Sequence, residues 1–255
     1  MGRAAVLLSI SVVAIGAAGC GGGDDGPSAD RPELVVFAAS SLGSAFEDYG
    51  NQFKGADVQF SFAGSDELAA QIRQGVTPDV YAAANTSLPD ELAGDGLLEE
   101  PRSFVTNKLV IGAAAGSEID DVRDLEAPGA SVAIGDPDVP VGGYTREVLD
   151  ALGPARSEAI LANVATSEPD VAGIVGKLTQ GAVDAGFVYR SDVVASGGKL
   201  DEVELPRAVG PDVAYGIAVA KGASEPELAQ QFVDGAIEGD GQEILIESGF
   251  GPPPG

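Results

Sequence analysis

The chain has no histidine, no tryptophan and one cysteine, and its 14 lysines and arginines face 40 aspartates and glutamates, a formal charge of −26. Each shortage removes a class of function. Without histidine, the commonest general base and the commonest transition-metal ligand are gone. A single cysteine forms no intramolecular disulfide, and with no histidine beside it a transition-metal centre is not expected. So few cations argue against DNA, RNA or an anionic lipid surface as partner, because those affinities come largely from lysine and arginine neutralising phosphates. Neither Ser41 nor Ser65 lies in a Gly-x-Ser-x-Gly stretch, so a secreted serine hydrolase is only a remote alternative. The carboxylates follow no EF-hand spacing. Asp79 after Pro78, and Asp136 before Pro137, read as turn chemistry rather than metal ligands.

Long apolar runs are scarce as well. The stretch from Ala4 to Ala18 is short for a membrane span. With Arg3 ahead of it and small residues Ala17-Ala18-Gly19 at its end, residues 1–19 read as an export signal. Cys20 follows directly, and Ala-Ala-Gly-Cys resembles a bacterial lipobox, so Cys20 is expected to carry lipid once the signal is cleaved. The alternative is cleavage beside an unmodified cysteine. Residues 20–32 are rich in Gly, Asp, Ser and Pro, which cannot bury apolar area, so they are expected to form a flexible tether. Lipid, tether and globular body together describe a protein held at the outer face of a membrane.

From about Glu33 onward, short apolar runs alternate with helical patterns. Strands are expected at Leu34–Ala38, Val58–Phe62, Val80–Ala83, Leu109–Ala113, Ser131–Ile134, Ala185–Val188 and Ala214–Ala220. Helices are expected at Leu42–Phe53, Glu67–Arg73, Leu88–Ala93, Tyr144–Leu152, Asp170–Gln180, Glu225–Ala236 and Gln242–Ser248. The alternation implies an α/β fold with mostly parallel sheets covered by helices. The stretch from Glu99 to Thr106 reads as a loop. If the apolar strands after Asn107 and at Val213 each cross between lobes, residues 33–110 and 213–255 form one lobe and residues 111–212 the other. Two crossings leave a cleft that closes by hinge bending.

Two junctions repeat one grammar: a strand ends in small hydroxyl residues and opens into a helix. They are Ala38-Ala39-Ser40-Ser41-Leu42 and Phe62-Ala63-Gly64-Ser65-Asp66. Free backbone N–H groups, the positive end of a helix dipole and short hydroxyls make a site for a small anion. The far field of so acidic a chain repels an anion, but salt screens distant charges beyond roughly 10 Å. Ser41 and Ser65 are equally readable as plain helix N-caps.

Further motifs carry a resemblance. Val36 to Leu42, Phe62 to Ser65, Thr77 to Ala84, the Gly135-Asp136-Pro137 stretch through Tyr144, Gly186-Phe187-Val188-Tyr189 with Ser191-Asp192, and Ser248-Gly249-Phe250 together resemble the molybdate-binding proteins of ABC importers. These are bilobal type II solute-binding proteins. The resemblance implies a periplasmic-binding-protein fold, no cofactor and no catalysis. It implies a monomer that captures molybdate or tungstate and delivers it to an importer permease. It maps the oxyanion onto the hydroxyls of Ser41, Ser65 and Tyr189 and the backbone N–H groups of Val141 and Val171. Such a dianion carries no proton near neutral pH, so every contact to it must be a donor. Another oxyanion or a small organic acid is the alternative ligand, and a carboxylate would call for an arginine clamp. Arg190 is the one cation near the mapped residues and reads better as a solvated strand end. Val141 stands where a smaller residue is familiar. Asp66, beside Ser65, is expected to point outward to solvent.

Overall fold

The computed structural model describes residues 31–254. The expected export signal, Cys20 and most of the tether lie outside these residues. The last two residues expected as tether are held instead. The Arg31 guanidinium donates to the carbonyls of Phe53 (2.9 Å) and Ala56 (2.6 Å), and the Pro32 carbonyl accepts from Asp57 N–H.

Two five-stranded sheets organise the body. The first contains β1 (Glu33–Ala39), β2 (Asp57–Ala63), β3 (Val80–Ala83), β4 (Arg102–Asn107) and β10 (Val213–Val219), in the order β2-β1-β3-β10-β4. The second contains β5 (Leu109–Ala114), β6 (Val132–Gly135), β7 (Val164–Glu168), β8 (Ala185–Tyr189) and β9 (Leu200–Val203), in the order β7-β6-β8-β5-β9. Helices α1 (Gly43–Gln52), α2 (Ser65–Arg73), α3 (Ser87–Gly94), α8 (Pro226–Glu238) and α9 (Asp240–Glu247) belong to the first lobe. The second lobe has α4 (Pro140–Leu152), α5 (Pro154–Ala162), α6 (Val171–Thr179) and α7 (Arg190–Ala195).

Mostly parallel sheets were expected, and the pairing needs one correction. In each sheet a single reversed strand sits one place from the edge: β10 pairs antiparallel with both β3 and β4, and β5 with both β8 and β9. The pairings are therefore mixed, although the remaining strands of each sheet run the same way. Both reversed strands adjoin the points where the chain passes between lobes. The first passage falls at Lys108, slightly before the expected one, because Leu109 and Val110 already pair with Tyr189 and Val188 of the second sheet.

Core formation follows the apolar runs. Leu34, Val36 and Ala38 on β1, and Phe46 on α1, are fully excluded from water. Phe46 stacks edge-on to Phe232 of α8 at 5.6 Å between ring centres. The stretch expected as a loop at Glu99–Thr106 is largely strand β4, whose Phe104 and Val105 are buried. Asp79, 2 % exposed, is a structural carboxylate: it accepts from the N–H groups of Val35, Ser224 and Glu225 and from the Ser224 hydroxyl.

Candidate functional site

Four strand-to-helix junctions and the end of β8 meet at one cavity between the lobes. Its walls include Ser41, Gly64, Ser65, Val141, Val171 and Tyr189, so the five residues mapped for ligand contact share one hollow. The space between these walls is about 20 Å³, slightly more than the roughly 10–15 Å³ that one water requires. Its occupant is therefore only a few atoms across. No lysine or arginine is among the described residues that line it.

The plain N-cap reading of the two serines does not hold. Ser41 lies inside a short 3-10 turn, Ser40–Leu42, that leads into α1, and Ser65 is the first residue of α2 behind its N-cap Gly64. Neither hydroxyl caps its helix. Ser65 Oγ instead accepts the Ala84 N–H at 3.0 Å, which occupies a lone pair and leaves the hydroxyl proton to be donated. Ser41 Oγ lies 2.8 Å from the Tyr215 hydroxyl.

The backbone donors arise from helix geometry. The first N–H groups of a helix have no intrahelical acceptor. Pro140 opens α4 and has no N–H, so Val141 offers the first one, and the N-cap Val139 has no side-chain acceptor for it. In α6 the N-cap Asp170 takes the Gly173 N–H at 2.8 Å, which leaves the N–H of Val171, the first helical residue, uncapped. Gly142 in the first turn of α4 has a steric cause: a Cβ there would lie 1.7 Å from the Asp136 carbonyl oxygen.

Tyr189 closes the set. It is 1 % exposed, yet its hydroxyl has no hydrogen-bond partner. An unpaired buried hydroxyl costs about 1–3 kcal/mol, so this one is poised for something the cavity takes in. Burial pushes its pKa well above the usual phenol value, with Tyr215 and Tyr144 reinforcing the effect, so the group stays protonated and can donate. Tyr144 packs edge-on against its ring at 6.5 Å.

Two neighbours behave differently from one another. Arg190 is absent from the cavity lining, and in place of the expected solvated strand end it opens α7 with its guanidinium paired to Glu202 and Glu204. Asp66, expected to face solvent, is the correction. Its Oδ1 is buried without a partner and lies 3.0 Å from where a Cβ on Gly64 would sit. That same Cβ would meet the Pro169 carbonyl of the opposite lobe at 2.8 Å, so Asp66 packs at the seam between lobes. Burial raises its pKa, and the Glu67 and Asp138 carboxylates add to the rise. Sequence reading met Gly64, Ala84, Asp170 and Tyr215 only as members of motifs or elements and gave none of them a role at the site. The Gly64-Ser65 pair and the strand beginning at Val213 were the available signals.

Residues 34–251 match the family model for bacterial extracellular solute-binding protein. The chain is 41% identical over 259 residues to the molybdate-binding protein ModA of Mycobacterium tuberculosis, covering 99% of this chain and 97% of that one. It is 32% identical to ModA of Escherichia coli, covering 87% and 90%. The periplasmic molybdate-binding protein of Azotobacter vinelandii shares the fold, with a TM-score of 0.78 at 22% identity over 87% of this chain and 100% of that one.

Proposed function

Because the chain belongs to the bacterial extracellular solute-binding proteins, we propose that its interlobe cavity captures molybdate outside the cytoplasm and delivers it to an ABC importer. The family binds and hands over solutes; it does no chemistry on them. One observation carries the choice of ligand. The buried, unpartnered Tyr189 hydroxyl shares a cavity with two serines and two uncapped helix starts, and among the described residues no lysine or arginine lines it. Such a site offers hydrogen-bond donors and uses them on a compact, fully deprotonated anion. The Ser41, Ser65 and Tyr189 hydroxyls and the Val141 and Val171 N–H groups are the contacts. A hydrogen bond to a charged group is worth on the order of 1.5–3 kcal/mol, so five of them offset dehydration and still leave the roughly −8 kcal/mol of micromolar binding.

Tungstate, with the same charge and shape, is bound by the same groups. A protonated phosphate is disfavoured because the one carboxylate among the described lining residues, Asp170, already accepts the Gly173 N–H, so the ligand's O–H is poorly served. A small organic acid fits less well, since the cavity is only about 20 Å³ and Arg190 is engaged with two glutamates. The leader signals export, and Cys20 is the lipid attachment point that keeps this monomer at the outer face of a membrane. A thermal-shift series with molybdate, tungstate, sulfate and phosphate tests the reading. A ligand at a hundredfold excess over its Kd adds about 2.7 kcal/mol, which for a domain of this size raises Tm by roughly 5–10 °C. A shift with sulfate or phosphate and none with molybdate or tungstate would overturn the assignment.

A further inference from the structure

We propose that Tyr215 and Asn107 are positioning residues that fix the Ser41 hydroxyl as a donor toward the bound anion. The inference rests on the molybdate reading above and assigns a task to residues outside the cavity wall.

The arrangement starts at the passage between lobes. Lys108 N–H donates to Asn107 Oδ1 at 2.9 Å, so the amide cannot flip, and its Nδ2 must face the other way. There it donates to Ser191 Oγ of the second lobe at 2.9 Å and, by a longer link, to the Tyr215 hydroxyl at 3.4 Å. An amide NH₂ is only ever a donor. With its oxygen receiving that hydrogen, the phenol turns its own proton toward Ser41 Oγ, 2.8 Å away. Ser41 then accepts from Tyr215, and its remaining proton is free for the cavity. Asn107, Tyr215, Ser41 and Ser191 are all under 9 % exposed, so water does not scramble this order.

The chain treats its two serines by different means to the same end. Ser65 is polarised by a backbone N–H, that of Ala84, which can never accept. Ser41 is polarised by a hydroxyl, which could reverse; the Asn107 amide behind it removes that freedom. A reversed Ser41 would turn a lone pair on a dianion, which repels it. Tyr215, Asn107 and Ser41 all belong to the first lobe, so the order is set before the lobes close. The Asn107–Ser191 bond then spans the closed form.

A double-mutant cycle on the full mature chain tests this, with molybdate Kd measured for wild type, Tyr215→Phe, Ser41→Ala and the double variant. The Phe ring keeps the edge-on packing against Phe104, Tyr189 and Phe250, so folding is retained. Tyr215→Phe is expected to weaken molybdate about tenfold, the low end of one ordered bond to a charged group. In the Ser41→Ala background the same change is expected to cost about twofold or less, since no hydroxyl is left to orient. Equal losses in both backgrounds, or no loss in either, overturn the relay. If Tyr215→Phe does not fold, Asn107→Ala takes its place in the cycle with the same expected non-additivity. A wild type that binds no molybdate overturns the functional reading and the relay with it, whereas a binding wild type with an additive cycle overturns the relay alone.

Discussion

Tyr189 carries two opposite consequences in one atom. Its unpaired hydroxyl weakens the empty protein and strengthens the filled one. Tyr189→Phe is therefore expected to raise the Kd for molybdate about ten- to hundredfold, from the loss of roughly 1.5–3 kcal/mol. The unliganded Tm should stay level or rise, because a buried unsatisfied group has been removed. Calorimetry beside a melting curve separates the two effects; a fall in both would mark Tyr189 as a packing residue. Asp192 shows the residue scale in pH. Buried in the first turn of α7 and accepting the Tyr189 N–H at 2.8 Å, it has its pKa pushed up by desolvation to about 7 from 3.8, with Asp170 adding to the rise. A raised acid binds its proton more tightly in the folded form. Its stabilisation is complete below the unfolded value and is lost as pH climbs through about 7. Wild-type Tm is expected to fall between about pH 5 and about pH 8, and Asp192→Asn to fall less; parallel slopes would dismiss this account. Ser41 and Ser65 stood out in sequence because each sits at a strand-to-helix junction, whereas Val141, Val171 and Tyr189 were reached through the family resemblance; the structure lines one cavity with all five. The Tyr215–Ser41 contact was not legible, since its partners are 174 positions apart and hydroxyl polarity depends on a third group.

Among elements, edge strands were the hardest to read. β4, β7 and β9 lie at sheet edges, half exposed and interrupted by charged or hydroxyl residues, as edges commonly are, so no apolar run announced them. β2, also an edge, was legible because Val58, Phe60 and Phe62 alternate with polar residues. The central strands announced themselves as continuous apolar runs, for example Val-Tyr-Ala-Ala of β3, buried throughout. Asp66 was misread for a related reason: a first-turn acid on an isolated helix faces water, but α2 abuts the opposite lobe. That abutment yields a prediction. A methyl at position 64 would press on the Pro169 carbonyl at 2.8 Å, and overpacking of this kind typically costs 1–3 kcal/mol. Gly64→Ala should weaken molybdate about tenfold by holding the lobes apart, while the unliganded Tm changes little. Unaltered affinity would show that the seam gives way freely.

For the molecule as a whole, charge and topology set the remaining behaviour. At −26 the protein repels its own ligand at a distance and attracts it only at contact. Raising the salt from about 0.01 M to about 0.15 M shortens the screening length from roughly 30 Å to roughly 8 Å. Stopped-flow association with molybdate is therefore expected to quicken severalfold over that range, the reverse of an electrostatically steered encounter; a rate that falls with salt would refute it. The placement of the reversed strands bears on biogenesis. β4 is joined to its sheet through β10, which emerges only after the whole second lobe. The middle of a nascent or newly exported chain thus has every partner it needs while the first lobe still waits for its own tail. Pulse-labelled amide exchange should find β6 and β8 guarded earlier than β4, and a chaperone escorting the late-finishing half has a defined interval in which to act.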